Sequence, residues 1–162
     1  MGARGVHFAL TADQEAQFLA LPPADADAML ALAVAIENNW DEEWLAQTDK
    51  AWEAIHRCLT DGRFEWGPTM AHQVILGSKN IYAADGFFMN FVVSADVKAV
   101  AALLENIDRN GLRSAYDRID PAEYVDKSET DFEYTWMWFE VLKAFFRKAA
   151  DAGRTVLFTV DQ

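Results

Sequence analysis

The residues whose spacing comes closest to a reactive arrangement are Asp49, Trp52 and His56. They fall at i, i+3 and i+7, which on a helix sets them along one face. A carboxylate and an imidazole beside an indole wall could take part in general acid–base chemistry. Glu53 and Arg57 lie next to them. Asp49 and His56 are nearly two turns apart, ~10 Å along the helix axis. They cannot bond to each other, so each needs a partner from elsewhere. The structural alternative is a core-facing His56 whose ring nitrogens are satisfied internally.

Other candidates carry weaker signals. Tyr134, Trp136, Trp138 and Phe139 could line a ligand pocket, although aromatic stripes at helical spacing more often belong to a core. Carboxylates and tyrosines interleave from Tyr116 to Lys127, and Tyr124 there is a second candidate ligand contact beside Trp52 and Trp136. Cys58 sits near the carboxyl end of its helix, the wrong end to activate a thiol. His7, His56 and His72 are far apart, and none has a second ligand at metal spacing, so no metal is expected. The chain has no phosphate loop, dinucleotide fingerprint, zinc-protease helix, CxxC pair or nucleophile elbow. No cofactor is expected, and whether the protein is an enzyme stays open.

The elements that must position these residues are read from periodicity and caps. Val6 to Leu10 reads as a strand. Thr11 and Gln14 have capping-box spacing before a helix that Pro22-Pro23 ends. Asp25 to Asn38 is a second helix, with Met29, Leu32, Ala33 and Ile36 at helical spacing. Asn38 to Gln47 reads as irregular or only partly helical. Thr48, as N-cap, opens a third helix to Leu59, carrying Trp52, Ile55 and His56 inward. Phe64 to Met70 is a loop, and the apolar run Gln73 to Leu76 reads as a short strand. Gly86 to Val93 is a strand with apolar residues on both faces. Ser94 caps a helix striped by Val97, Val100, Ala101, Leu104 and Ile107, which Asn110-Gly111 breaks. A short helix spans Leu112 to Arg118.

The longest helix runs from Glu129 to Ala152, with Thr130 and Glu133 at capping-box spacing. It has two apolar stripes: Phe132, Trp136, Phe139, Leu142 and Phe146 in one, and Trp138, Val141 and Phe145 in the other. Such a helix is central, or it offers a face to a partner. Thr155 to Val160 is a last strand. Strands and helices do not alternate regularly. The pattern fits an α+β fold: a small, mostly antiparallel sheet with helices packed on one face, in a single domain over residues 1–162.

Bulk composition narrows the partners. The chain has 162 residues, 52% of them hydrophobic, with 11 Phe and 6 Trp, enough for one substantial core. Its 26 acidic and 14 basic residues give a net charge of −12. Such a surface repels phosphate backbones and anionic lipid, so neither nucleic acid nor membrane is an expected partner. A basic protein partner, or solubility alone, fits the charge. The single cysteine allows no internal disulfide, and the first residues hold no signal-peptide core, so the cytoplasm is expected. Oligomeric state is open, because the doubly striped helix could complete the core or pair across a two-fold axis.

Several stretches together resemble a known family. Residues 49–60, DKAWEAIHRCLT, are similar to a DKxWxxxHxxLT signature. The opening Met1 to Gly5 resembles an amino-terminal glycine pattern. Ile75 to Gly77, Ser94 to Val97, Leu112 to Tyr116 and Pro121 to Tyr124 follow at corresponding places. The set resembles the YfbM-like family of uncharacterised bacterial proteins, over nearly the whole chain. Ala3 departs from a methionine often seen there, and Asn38 to Trp44 is this chain's own. The resemblance implies a compact α+β domain and no particular reaction. Two functions remain: a protein-interaction or regulatory module with an acidic surface, or a small-molecule binder or enzyme using the Asp49, Trp52 and His56 face.

Overall fold

A computed structural model describes residues 3–84 and 87–161. Met1 and Gly2 of the amino-terminal pattern, and Gly86 at the expected start of a strand, lie outside them. Five strands form one sheet: β1 (Arg4–Ala9), β2 (Leu45–Asp49), β3 (Lys79–Ala84), β4 (Phe87–Val92) and β5 (Val156–Asp161). Their order is β2-β1-β5-β4-β3, and every neighbouring pair is antiparallel. The first and last strands lie side by side near the middle.

Alternation along the central strands gives the sheet two buried faces. Phe8, Leu10, Met89, Phe91 and Leu157 point to one side and pack with α1 (Ala12–Ala20) and α2 (Ala26–Asn38). Ala9, Val92, Val156, Phe158 and Val160 point to the other. There they meet α3 (Trp52–Leu59), α4 (Met70–Leu76), α5 (Ser94–Glu105), α6 (Arg109–Asp117) and α7 (Glu129–Asp151). Helices therefore cover both faces of the sheet, not one as expected. The mixed strand pattern over Phe87 to Val92 carried that information, because each parity is apolar.

The caps explain most helix starts. Thr11 and Gln14 form the expected capping box. Asp25 accepts from the Ala28 N–H, and Asp108 from the Gly111 N–H. Gly111 is thus in the first turn of α6 and does not separate two helices. Ser128, not Thr130, caps α7 by accepting from the Asp131 N–H. Val93, not Ser94, stands at the N-cap of α5.

Three expectations fail locally. Leu45 to Asp49 is strand β2, although it reads as irregular and then helical. Its inward residues are Ala46 and Thr48, and Gln47 and Asp49 follow on the other parity, so no alternation of large apolar residues marks it as a strand. Thr48 is a buried strand residue whose hydroxyl donates to the Gly5 carbonyl, not a helix cap. Residues 70–76 are helical. Val74, Ile75 and Leu76 are all buried, and a short apolar run does not distinguish a strand from a buried helix. The edge strand β3 had no signal of its own.

The long helix α7 is central. It packs on α5 along one side and on β2 along the other. Phe132, Phe139, Leu142 and Phe146 are fully buried, and Phe145 of the second stripe is nearly so. Val141 remains exposed. Burying such side chains stabilises the fold by about 2 kcal/mol each.

Candidate functional site

Asp49 ends β2, three residues before α3 begins. It is therefore not on the helix face with Trp52 and His56. Its φ is 42°, in the left-handed region that aspartate tolerates better than most residues. That reversal lets the chain leave the sheet and enter α3 through Lys50 and Ala51 alone. It also turns the carboxylate toward α7. The Tyr134 hydroxyl donates to Asp49 Oδ2 at 2.5 Å and accepts from the Lys50 N–H at 3.4 Å. Arg4 Nε lies 3.6 Å from Asp49 Oδ1, on a mostly exposed side chain. Burial, and then the bond to Asp49, push the Tyr134 phenol up from its ordinary value.

Two polar atoms here lack hydrogen bonds. Asp49 Oδ1 is buried and accepts none, and Trp138 Nε1 is buried and donates none. Trp138 stands one turn along α7 from Tyr134, with ring centres 6.2 Å apart. This group joins an acceptor, a phenol and a donor. Tyr134 belongs to the aromatic stripe of the sequence, but nothing in the spacing links it to Asp49, 85 positions away.

His56 is fully buried. Its Nε2 lies 3.0 Å from the Glu65 carbonyl, so Nε2 carries the proton and donates it. Nδ1 then holds a bare lone pair with no partner. Phe64 and His72 pack edge-on against the ring, with centres at 5.4 and 5.8 Å. Burial is the main cause that lowers His56 to about 4. His7 repeats the arrangement: Nε2 donates to the Val74 carbonyl, and burial lowers it to about 4. A neutral imidazole with a bare nitrogen is chemically basic, but His56 has no solvent path to a substrate.

The remaining candidates are dispersed. Trp52 is buried, and its indole N–H donates to the Ala3 carbonyl at 3.0 Å. Tyr124 is buried and donates to Asp131 Oδ1, while Tyr116 donates to Asp131 Oδ2 at 2.6 Å. Burial raises both phenols above their ordinary value. The interleaved tyrosines thus close on one carboxylate of α7, a role the sequence did not assign to Asp131. Trp136 is half-buried against Phe139, with the Arg109 guanidinium 5.9 Å from its ring. Cys58 is buried, and desolvation pushes its thiol up to about 12. Among the described residues, no three His, Cys, Asp or Glu side chains converge as a metal site would need.

The signature residues have a common structural role. Asp49 ties the start of α3 to α7, Trp52 ties α3 to the amino-terminal strand, and His56 ties it to the loop after α3. Compared with family models, the chain matches the domain of unknown function DUF1877 over residues 1–159. The chain belongs to the DUF1877 family. A solved structure supports the architecture: the crystal structure of a protein of unknown function, YfbM from Escherichia coli. It superposes with a TM-score of 0.69 at 18% identity, covering 97% of this chain and 99% of that one. At that identity the likeness shows a common fold alone. No curated protein matches the sequence. DUF1877 membership brings no reaction with it, so function has to be argued from the surface and the site.

Proposed function

We propose that this DUF1877 protein is a binding module that takes a positively charged protein partner on an acidic exterior. The observation that carries this reading is the sealing of His56. The one imidazole of the signature is fully buried and bonded to a backbone carbonyl, which leaves it no substrate. Many cations are likewise engaged internally. Arg57 pairs with Glu53 and Glu123, Arg113 with Asp117 and Glu129, and Lys148 with Glu43. The surplus of carboxylates faces outward. A bacterial cytoplasm, where a lone thiol stays reduced, accompanies this reading. Affinity capture from bacterial lysate at about 50 mM salt, with captured proteins purified and retested, is the experiment. Direct binding that weakens steeply with salt supports the reading. No binder at low or high salt ends it.

A second reading rests on the strained Asp49. A left-handed aspartate whose buried Oδ1 accepts no hydrogen bond and has the exposed Arg4 guanidinium 3.6 Å away could hold a small molecule with donor groups that takes the place of Arg4. A ligand that raises the melting temperature of the protein, but not of an Asp49→Asn variant, would support it.

A further inference from the structure

We propose that the docking surface is the outer face of α1 and α2, and that its occupant is a cationic amphipathic helix of another protein. This inference rests on the binding-module reading and specifies where the partner sits.

Between Arg4 and Lys50 the chain has nine carboxylates and no lysine or arginine. That interval contains both helices of one sheet face, and seven of the nine carboxylates, from Asp13 to Glu42, lie on α1, on α2 or beside them, while Glu43 and Asp49 turn to Lys148 and Arg4. Cations from elsewhere reach only its margins. Lys148 pairs with Glu43, Arg154 stacks on Trp44 and donates to the Ala9 carbonyl, and Lys79 borders a cleft.

The same layer shows water an apolar stripe where a surface helix ordinarily carries polar residues. On α1, Ala12, Ala16, Leu19 and Ala20 are exposed at helical spacing. On α2, Ala31, Val34 and Ala35 are exposed. Leu19, Val34 and Trp40 are 59%, 42% and 43% exposed. Only Phe18 of α1 is buried. The helices run antiparallel, with a cleft at each end of the pair. One, of about 100 Å³, touches Gln14 of α1 and Ile36 of α2. The other, of about 160 Å³, touches Leu19 of α1 and Met29 of α2.

Alanines in such a stripe let a partner helix approach to the 8–10 Å axis separation of packed helices. Exposed Asp13, Asp25, Asp27 and Glu42 on its borders favour lysine and arginine on that partner. A second copy of this chain is a poor occupant, because its matching face would set carboxylates against carboxylates.

The probe is a helical peptide of about 20 residues, built from lysine, alanine and leucine with one apolar stripe. A peptide of identical composition, shuffled to have no stripe, is the control. Amide resonances of the unaltered protein map the contact, and calorimetry gives the affinity. The expected result is movement of resonances confined to α1, α2 and Trp40, with the shuffled peptide at least tenfold weaker. Ala31→Arg with Val34→Arg, and separately Asp13→Asn with Asp27→Asn, should each weaken binding about tenfold. If a variant fails to fold, the resonance map on the unaltered protein decides. Equal binding of both peptides, contacts elsewhere, or self-association through this face overturns the inference and leaves the binding-module reading standing. Failure of every cationic peptide at low salt, together with failure of lysate capture, removes both.

Discussion

The Tyr134 hydroxyl donates a 2.5 Å hydrogen bond to Asp49 Oδ2, joining the early turns of α7 to the last residue of β2. Removing the hydroxyl by Tyr134→Phe leaves a partly buried carboxylate short of a donor. A charge-assisted bond of this kind contributes about 1.5–3 kcal/mol, so urea unfolding should show a loss near the lower figure. Asp49→Asn should lose less, because asparagine also tolerates the left-handed backbone and still accepts from the phenol. A double-mutant cycle should give coupling of about 1 kcal/mol. Additive losses would mean that the bond contributes nothing measurable.

The two buried histidines set a pH dependence. Each is neutral in the folded protein with its value lowered to about 4, against an ordinary 6.5. The unfolded chain therefore binds more protons between those values. Stability is full above about 6.5 and falls as pH drops toward 4. At about 1.4 kcal/mol per unit, the loss is ~3 kcal/mol for each ring. Imidazole nitrogen resonances should show both rings neutral and protonated on Nε2 at pH 5. A charged ring in the folded state at that pH would contradict the burial argument.

Cys58 should be silent toward alkylation. Its thiol is pushed up to about 12 and is buried, so almost no thiolate is present or reachable at pH 8. Modification should proceed only as fast as the protein opens, and should become rapid in denaturant. Fast modification of the native protein would place Cys58 nearer solvent than the structure does.

Gly5 should not accept a side chain. A Cβ there would lie 2.8 Å from the Phe158 ring, 2.8 Å from Thr48 Oγ1 and 2.9 Å from the Trp52 indole. Gly5→Ala should destabilise by about 1–3 kcal/mol, measured by thermal or urea unfolding. An unchanged midpoint would mean that the β1–β2–α3 junction is looser than its packing indicates.

The parts of the fold legible in sequence are those with a strong period or cap. The stripe from Val97 to Leu104, the long run from Phe132 to Phe146 and the Thr11 capping box each state their element directly. β2 and α4 hide their state in the sequence for opposite reasons. β2 has no large apolar residue at its inward positions Ala46 and Thr48 and so shows no apolar alternation, whereas the short apolar run Val74 to Leu76 of α4 could be either state. In the site, Asp49, Trp52 and His56 were visible as a set, but their partners were not. A hydrogen bond from Tyr134, or to the carbonyls of Ala3 and Glu65, depends on tertiary geometry and leaves no mark on local spacing.

The pairing of β1 with β5 near the middle of the sheet has a bearing on biosynthesis. On the ribosome, β1 emerges well before Val156 to Asp161 and must wait for them before its inner edge is filled. Until then β1–β2 and β3–β4 are two separate ribbons, and Phe8, Phe91 and Trp52 have lost part of their cover. Non-local closure of this kind slows folding and prolongs the exposure of sticky strand edges. Nascent chains should therefore depend on chaperones until β5 clears the exit tunnel.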